Sequence, residues 1–404
     1  MTQPDQQPEQ KPETSYRDAG VDEEREQNAF SKVMRPWLAR TRVASPLVTS
    51  ITGLASGYFA TLVHIPPGPP IALTTDGVGT KILLARQANR WEAVGIDVVA
   101  NNVNDLVCVG AVPLALLDYM ATDRIDEGVF EELARGMYLG ANLAGIAIPG
   151  GEIAQIGAML ASPGNDDSPG HDGTAGRDGT AGHDGNNAPM LDLVGTAMGA
   201  MPPADPAEQP EAGRVTEWRE PVDGAAVEEG DVIIGLPSSG LHSNGYSLAR
   251  HALFDIGGLT LNDPNLADAL LQPTRVYVAA AEALWTANVQ PKGLVHISGG
   301  GLLNLGRLAA DVSYELDALP APPPIFTTIA AAGKVAAATM YATFNMGIGF
   351  CVVVSPAQQQ AAIAALRQAG EEPVRIGSVT GRAGRDVTIP AEGLTGHGDA
   401  FRSR

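Results

Sequence analysis

The chain has 404 residues, 44% of them hydrophobic, and its 46 acidic residues against 26 basic ones give a formal net charge of −20. This length predicts two or three domains, and the negative charge disfavours binding to nucleic acid or to an anionic membrane surface. Only two cysteines occur, Cys108 and Cys351, both in apolar runs. They argue against a disulfide framework or a cysteine-ligated zinc, and we expect buried thiols in a reducing cytoplasm.

The N-terminal residues 1–14 are rich in Gln, Pro and Glu and lack hydrophobic periodicity, which is typical of a disordered tail. They contain no basic segment followed by an apolar one, so we expect no signal peptide. No apolar run reaches the roughly 18 residues of a membrane span. We therefore expect a cytoplasmic protein without membrane contact.

From residue 55 or so, apolar runs of strand length alternate with segments of helix length, which is the pattern of an α/β protein. The strands are predicted at residues 71–75, 113–119, 191–201, 231–236, 294–297, 347–354 and 373–379. The helices are predicted at residues 93–109, 126–144, 245–254, 273–285 and 356–368, and Pro273 suits the first position of its helix.

Two changes in composition predict the domain boundaries. Residues 161–189 contain a repeated His/Arg-Asp-Gly-Thr-Ala-Gly unit, which predicts a low-complexity insertion, with metal binding by its histidines and aspartates as the alternative. Residues 202–214 have the composition of a linker. The predicted units are an N-terminal segment (1–39), a first α/β domain (40–205), a linker (206–218), a second α/β domain (219–390) and a tail (391–404).

The segment TDGVGTK (75–81) follows the first predicted strand and has the composition of a phosphate-binding loop. Gly77 and Gly79 let backbone amides approach phosphate oxygens, Lys81 supplies a positive charge, and Asp76 can bind a divalent cation. The spacing is not that of a Walker A loop. An ordinary glycine-rich turn therefore explains the segment equally well.

The predicted helix 93–109 carries a polar face in an otherwise apolar sequence. Asp97, Asn101, Asn104 and Asp105 lie at helical spacing, and buried carboxylates and amides are costly unless they have partners. Such a face suits a hard cation or a sugar. The alternative is that the asparagines merely cap or bridge strands.

A further carboxylate, Glu152, follows Gly150 and Gly151 after a short apolar strand. A carboxylate beside accessible backbone amides suits a magnesium–nucleotide complex. The motif is short, and on its own it is a weak signal.

Two loops in the second predicted domain have the composition of anion-binding sites. The loop 237–245 brings serines, His242 and Asn244 to the start of a helix, and Ser298 is followed by three glycines after a strand. His296 is expected to be a core histidine. These loops and carboxylates indicate an Mg-ATP enzyme with a phosphorylated substrate, since no hydrolase, zincin or simple dinucleotide-fold motif occurs.

In this order, the motifs resemble those of the aminoimidazole ribonucleotide synthetase (phosphoribosylformylglycinamidine cyclo-ligase, PurM) family. The matching segments are SYRDAGVD (15–22), TDGVGTK (75–81), GIDVVANNVNDLVCVGAVPLALLDYMAT (95–122), GGE (150–152), DLVGTAMG (192–199), SSGLHSNGYSL (238–248), PTRVYV (273–278), ISGGG (297–301) and TFNMGIGF (343–350). The combination is far more specific than any single motif.

The resemblance implies a two-domain PurM-like α/β fold with mixed sheets, and a homodimer whose two N-terminal domains jointly form a barrel-like sheet. It implies ring closure of formylglycinamidine ribonucleotide to 5-aminoimidazole ribonucleotide, a step of purine biosynthesis that uses ATP and Mg²⁺ and releases ADP and phosphate. A monovalent cation such as K⁺ is left open. The N-terminal segment is expected to cover ATP.

The resemblance also implies roles for individual positions. The catalytic positions are Lys81, Asp105 and His242, and the Mg²⁺ ligands are Asp76, Asp97, Asp105 and Glu152. The ATP-binding positions are Arg17, Asp76, Gly77, Gly79, Thr80, Lys81, Asn101, Asn104, Gly150 and Gly151. The substrate-binding positions are Ser239, Gly240, His242, Ser243, Asn244, Arg275, Ser298, Gly299, Gly300, Gly301 and Asn345.

Two positions depart from the family's pattern. Arg17 replaces a lysine common in its N-terminal motif, and Gln155 stands where a glutamate is common, which leaves Glu152 as the predicted ligand. One rival interpretation is another ATP-using member of the superfamily, such as formylglycinamidine ribonucleotide synthetase or thiamine monophosphate kinase. The synthetase is usually longer, and the kinase lacks the pairing of SSGLHSNGYSL with TFNMGIG. The other rival is a non-catalytic scaffold that binds partners through the insertion.

Overall fold

The computed structural model describes residues 58–160, 188–205 and 217–403, together with residue 215 and isolated positions between 19 and 40. Those isolated positions include the short helical segment Ala29–Met34. The predictions for Arg17, for most of the insertion and for most of the linker lie outside the described residues.

The N-terminal domain is built around a five-stranded sheet, and the C-terminal domain around an eight-stranded one. The strands of the first sheet are β1 (Thr61–His64), β2 (Pro70–Gly77), β3 (Val112–Thr122), β4 (Ala147–Gln155) and β5 (Leu191–Ala200). The helices of this domain are α1 (Lys81–Ala88), α2 (Glu92–Cys108), α3 (Glu127–Ala144) and α4 (Gly157–Leu160). The strand order is β1-β2-β5-β3-β4, with β3 and β4 parallel and the other neighbours antiparallel.

The N-terminal sheet has helices on one face only. Strand β5 alternates buried and exposed residues, which is the pattern of a sheet with one covered face. Helix α2 is almost entirely buried because the sheet, α3 and the C-terminal domain surround it. Helix α3 packs closely on α2 through Gly95 and Gly136, where a side chain on either residue would overlap the backbone of the other helix.

The C-terminal sheet has the order β13-β12-β11-β8-β10-β6-β9-β7, and its neighbours are antiparallel except for β8 and β11. Its strands are β6 (Val232–Pro237), β7 (Gly293–His296), β8 (Ser313–Glu315), β9 (Ile348–Val354), β10 (Val374–Thr380), β11 (Val387–Ile389), β12 (Leu394–His397) and β13 (Ala400–Ser403). The helices of this domain are α5 (Tyr246–Arg250), α6 (Pro264–Leu270), α7 (Val278–Thr286), α8 (Pro324–Gly333), α9 (Ala337–Thr343) and α10 (Gln359–Gln368). A π-helical segment (His251–Ile256) continues α5, and three 3₁₀ turns lie at Gly301–Arg307, Pro356–Gln358 and Pro390–Glu392.

The prediction of an α/β chain with mixed sheets is confirmed, and each predicted strand overlaps an observed one. Two predictions need correction. Residues 391–404 are not merely a tail, because β12 and β13 form a hairpin at the edge of the sheet. The helix predicted from Pro273 begins only at Val278. Residues 273–277 instead form an irregular segment held by hydrogen bonds to α2.

The buried side chains of both domains form one continuous hydrophobic cluster. In the part of the chain that the structure describes, no helix has the length and apolar character needed to cross a membrane.

Candidate active site

Helix α2 lies at the junction of the two domains, and two of its asparagines fasten the 75–81 loop to it. Asn101 Nδ2 donates to the Gly77 carbonyl (3.2 Å), and Asn102 Nδ2 donates to the Asp76 carbonyl (3.1 Å). Both asparagines are buried, and these bonds satisfy their side-chain nitrogens, whereas their Oδ1 atoms have no hydrogen-bond partner among the described residues.

A third asparagine of α2 reaches the C-terminal domain. Asn104 Nδ2 donates to the Arg275 carbonyl (2.8 Å), while Asn104 Oδ1 accepts from the Tyr277 amide (2.9 Å). The Arg275 side chain pairs with Glu371 (2.9 Å). These contacts join Asn104 to an irregular segment and not to a strand, and they hold residues 273–277 out of the helix that follows.

Asp76, at the end of β2, and Asp105, on α2, form a carboxylate pair beside the domain junction. Asp76 Oδ1 accepts from the Gly77 amide (2.8 Å). Burial, and then the negative charge of Asp105, raise the pKa of Asp76 from 3.8 to about 6. Two carboxylates in a poorly hydrated position repel each other, so a cation between them would be stabilised.

His296, at the end of β7, contacts this pair from the C-terminal domain. Its Nδ1 lies 3.0 Å from Asp105 Oδ1, and its side chain is 1% exposed. The Asn304 amide donates to the His296 carbonyl (3.2 Å). His296 is buried, as expected of a core histidine, but the structure also places it against a predicted catalytic carboxylate.

Arg307 is a site residue that the sequence did not single out. Its guanidinium lies 5.3 Å from the Phe59 ring centroid, and its Nη2 donates weakly to the Gly299 carbonyl (3.5 Å). Its positive charge lowers the pKa of Asp76, against the larger effect of burial. The sequence signal for Arg307 is its position six residues beyond the glycines, which is visible only in retrospect.

The predicted phosphate contact Lys81 and the predicted metal ligand Asp97 instead form a buried ion pair. Lys81 Nζ lies 2.7 Å from Asp97 Oδ2, and both side chains are fully buried. Lys81 Nζ also donates to the Gln272 carbonyl (2.6 Å), and Asp97 Oδ1 accepts from the Thr274 amide (2.7 Å) and hydroxyl (2.8 Å). In this geometry the two side chains join the domains.

The sheet register separates Glu152 from Asp76. Asp76 lies opposite Gly195, which in turn lies opposite Asp118, so these positions share the face covered by the helices. Glu152 pairs with Tyr119, the next residue along β3. Because successive residues of a strand point to opposite faces, Glu152 lies on the other face of the sheet.

The other predicted ATP-binding positions lie in the loop after β2 and within strand β4. Gly79 has a left-handed conformation (φ 66°), and Thr80 Oγ1 lies 3.2 Å from Ser247 Oγ of the C-terminal domain. Gly150 and Gly151 lie within strand β4. A side chain at Gly151 would overlap the carboxylate of Asp118.

His242, predicted to be catalytic, is fully buried and has a left-handed backbone (φ 61°). Neither ring nitrogen has a hydrogen-bond partner among the described residues. Its ring centroid lies 6.2 Å from that of Tyr277 and 6.3 Å from that of His296. Burial holds the pKa of His242 well below its usual 6.5, so the imidazole is neutral.

The side chains of the 238–245 loop and of Asn345 make hydrogen bonds to one another and to residues 273 and 274. These bonds join Ser239 Oγ to the Pro273 carbonyl (2.5 Å), Ser243 Oγ to Thr274 Oγ1 (3.0 Å) and Asn345 Nδ2 to the Gly240 carbonyl (2.8 Å). The loop is therefore held by hydrogen bonds to the irregular segment 273–277 and to Asn345.

The glycine loop (residues 298–301) lies beside Asn244. Gly300 and Gly301 have left-handed backbones (φ 92° and 55°), and a side chain at Gly301 would overlap the carbonyl oxygens of Tyr341 and Phe344. Only glycine fits there, which explains the glycine run. The structure thus brings the glycine loop, Arg307, His296 and the carboxylate pair to one junction, whereas Lys81, Asp97 and Glu152 lie elsewhere.

Comparison with known proteins places the chain in a family. Residues 58–174 match the family described as AIR synthase related protein, N-terminal domain, and residues 228–390 match the corresponding C-terminal domain. The phosphoribosylformylglycinamidine cyclo-ligase of Methanothermobacter thermautotrophicus is 38% identical over 93% of this chain and 97% of its own. The protein of that name from Myxococcus xanthus is 38% identical over 93% and 99%.

Solved structures share the fold at lower identity. Thiamine-monophosphate kinase from Stenotrophomonas maltophilia superposes with a TM-score of 0.53 at 18% identity, covering 88% of this chain and 95% of that one. The hydrogenase maturation protein HypE in complex with ATP superposes with a TM-score of 0.50 at 17% identity, covering 87% and 90%. From the family matches and the near full-length relatives, the chain belongs to the phosphoribosylformylglycinamidine cyclo-ligase family.

Proposed function

We propose that the protein catalyses ATP-dependent closure of formylglycinamidine ribonucleotide to 5-aminoimidazole ribonucleotide, with release of ADP and phosphate. The observation that carries this proposal is the Asp76–Asp105 pair, which His296 and Arg307 surround at the domain junction next to the glycine loop. The pair suits a metal–phosphate complex, and the glycine loop suits a phosphorylated substrate. The names of the near full-length relatives supply the reaction.

The donor set fits Mg²⁺ as the partner of ATP. Among the described residues, no group of three or more His, Cys, Asp or Glu side chains could hold a metal by itself. Mg²⁺ in nucleotide enzymes is usually bound by one or two carboxylates together with phosphate oxygens and water. Asp76 and Asp105 would hold the ion, whose charge would neutralise the transferred phosphoryl group. The requirement for K⁺ stays open in this proposal.

The main role of the protein in this reaction is to position the reacting atoms. ATP phosphorylates the formamide oxygen, which becomes a phosphate leaving group, and the substrate's own amidine nitrogen then attacks the activated carbon. Holding these atoms in line supplies much of the rate enhancement. His296, through its contact with Asp105 (3.0 Å), would fix the orientation of that carboxylate. His242, whose ring centroid lies 6.3 Å from that of His296, has a neutral ring and would be a second imidazole near the carboxylate pair.

The protein is proposed to act as a cytoplasmic homodimer. Four large apolar side chains lie on the uncovered face of the N-terminal sheet, and each is more than a third exposed: Leu73, Leu117, Tyr119 and Met198. An apolar sheet face of this kind is typical of a protein interface. Glu152 lies on the same face, so any role for it in the site would depend on the second subunit.

The test is an assay of aminoimidazole ribonucleotide formation from formylglycinamidine ribonucleotide, ATP and Mg²⁺. Asp105→Asn should lower kcat/KM by about 100-fold or more, because a group that stabilises the transition-state charge is lost. Asp268→Asn is the matched control, since Asp268 is an exposed aspartate paired only with Arg90, and it should leave the rate unchanged. Absence of product with the unaltered protein would refute the proposed reaction.

A further inference from the structure

A pocket of about 690 Å³ lies in the C-terminal domain, between the glycine loop and the hairpin formed by β12 and β13. The residues that line it include Gly299, Gly300, Arg307, Arg385 and His397. This volume is in the usual range for a small-molecule site. The hairpin, which the sequence predicted only as a tail, forms one of its walls.

The pocket contains two arginines, Arg307 and Arg385, that form no direct ion pair with a described carboxylate. Arg307 contacts the Gly299 carbonyl and the Phe59 ring, and Arg385 donates to the Ala309 carbonyl (2.8 Å). In the described part of the chain, no carboxylate oxygen lies within 4.0 Å of either guanidinium. Guanidiniums without a direct ion pair keep donors available for phosphate, although Asp76 and Asp105 act on Arg307 at longer range.

The other polar groups of the pocket include both signs of charge. His397 Nδ1 is paired with Asp386 (2.9 Å), which leaves its Nε2 toward other partners. Asp399 also lines the pocket, on the exposed turn of the hairpin. The acidic group therefore lies at the exposed rim, while Arg307 is half-buried.

The backbone of the glycine loop adds hydrogen-bond donors to the pocket. The amides of Gly299 and Gly300 donate no hydrogen bond to any described residue, whereas the amide of Gly301 donates to the Ser298 carbonyl (3.0 Å). Consecutive free amides at a left-handed turn form a concavity that binds anions. This observation is independent of the arginines, and it indicates the same class of ligand.

We propose that this pocket binds the 5′-phosphate of the ribonucleotide substrate, through Arg307, Arg385 and the amides of Gly299 and Gly300. The proposal rests on the function proposed above and identifies where the substrate's charged end lies. A phosphate monoester carries nearly two negative charges at neutral pH, and guanidiniums bind it by two parallel hydrogen bonds. Arg307 also interacts with Asp76 and Asp105, so it lies between the pocket and the carboxylate pair. The substrate would therefore extend from the pocket toward the reacting groups.

Direct binding tests this without any catalysis. Ribose 5-phosphate, inorganic phosphate and ribose are titrated into the full-length protein by calorimetry in the absence of ATP. The variants are Arg385→Gln and Arg307→Gln, and the matched control is Arg382→Gln, which alters an exposed arginine of the same turn outside the pocket. Glutamine is chosen because Arg385 has a left-handed backbone (φ 56°), and an unbranched side chain leaves that strain unchanged.

Ribose 5-phosphate should bind the unaltered protein and Arg382→Gln equally, and about 10- to 100-fold more weakly to the two pocket variants. Inorganic phosphate should compete with it, and ribose should not bind. In steady-state assays Arg385→Gln should raise KM for the ribonucleotide by a similar factor and leave KM for ATP unchanged.

Three results would overturn the proposal. The first is no binding of ribose 5-phosphate at millimolar concentration, and the second is binding that Arg385→Gln leaves intact. The third is a pocket variant that loses Mg-ADP binding and keeps ribose 5-phosphate binding, which would assign the pocket to the nucleotide. Failure of the proposed reaction is a separate outcome. A protein that binds ribose 5-phosphate through these arginines but forms no aminoimidazole ribonucleotide would lose the reaction and keep the phosphate site.

Discussion

At the scale of single residues, Asp76 combines a binding role with a cost in stability. Its pKa of about 6 in the folded protein exceeds the ordinary 3.8. The unfolded chain therefore gives up this proton more readily, and the group's contribution to stability falls as pH rises from about 4 to 6. Above pH 6 the carboxylate is ionised and destabilises the ligand-free fold.

Asp76→Asn should therefore stabilise the ligand-free protein at pH 7.5 by roughly 1–3 kcal/mol while abolishing ring closure. Urea unfolding at pH 4.5 and 7.5 measures this, and the gain should be much smaller at the lower pH. Asp192→Asn alters an exposed aspartate of the same sheet and should change neither property. An Asp76→Asn variant that is less stable at pH 7.5 would show that the carboxylate has a favourable partner there.

Single residues also show which site positions can be predicted from sequence patterns and which cannot. Asp76 and Asp105 were predicted from their types and spacing, and the structure brings them together. Lys81 was predicted to contact phosphate and Asp97 to bind a metal, and the structure pairs them with each other. Nothing in their spacing distinguishes a phosphate contact from a buried ion pair. Arg307 could not be predicted, since its position depends on the packing of two domains.

At the scale of elements, α2 acts as the joint between the domains. A predicted helix start at Pro273 had good local support, but the buried Asp97 and Asn104 of α2 hold residues 273–277 in another conformation. Tertiary contacts from nearly 180 residues away therefore override the local preference. The predicted strands all overlap observed ones, whereas this helix begins only at Val278.

Because α2 joins the domains, breaking the Lys81–Asp97 pair should strongly destabilise the protein. Lys81→Met would leave a buried, uncompensated carboxylate and should destabilise the protein by about 3–5 kcal/mol. The double variant Lys81→Met/Asp97→Asn should recover part of that loss, because the asparagine oxygen can still accept from Thr274. Thermal and urea unfolding of the unaltered protein, of the single variants Lys81→Met and Asp97→Asn and of the double variant gives the coupling energy.

A matched control for this pair is the exposed pair of Arg90 and Asp268, whose side chains are 49% and 60% exposed. Arg90→Met should change the free energy of unfolding by no more than about 1 kcal/mol. A loss below about 1 kcal/mol for Lys81→Met would mean that the pair is not the joint inferred from its burial.

At the scale of the whole molecule, the net charge of −20 must be reconciled with two anionic ligands. Long-range repulsion of ATP and of a ribonucleotide is offset locally, by the proposed metal at the carboxylate pair and by Arg307, Arg385 and the free glycine amides at the pocket. Raising the ionic strength screens the repulsion between chain and ligand. It screens the short contacts in the pocket less, since Arg307 is partly buried.

The same charge bears on the proposed dimer, whose apolar face includes Leu117 and Tyr119 of β3 (51% and 43% exposed). Burying this face would bring two strongly negative chains together, so association should become tighter as salt increases. Leu117→Asp places a charge at the centre of the face and should convert the dimer to monomers in sedimentation experiments. Leu259→Asp changes a comparably exposed leucine (39%) in the C-terminal domain and should leave the dimer intact. A monomeric unaltered protein at all salt concentrations would contradict the interface, and an intact Leu117→Asp dimer would place the interface on another surface.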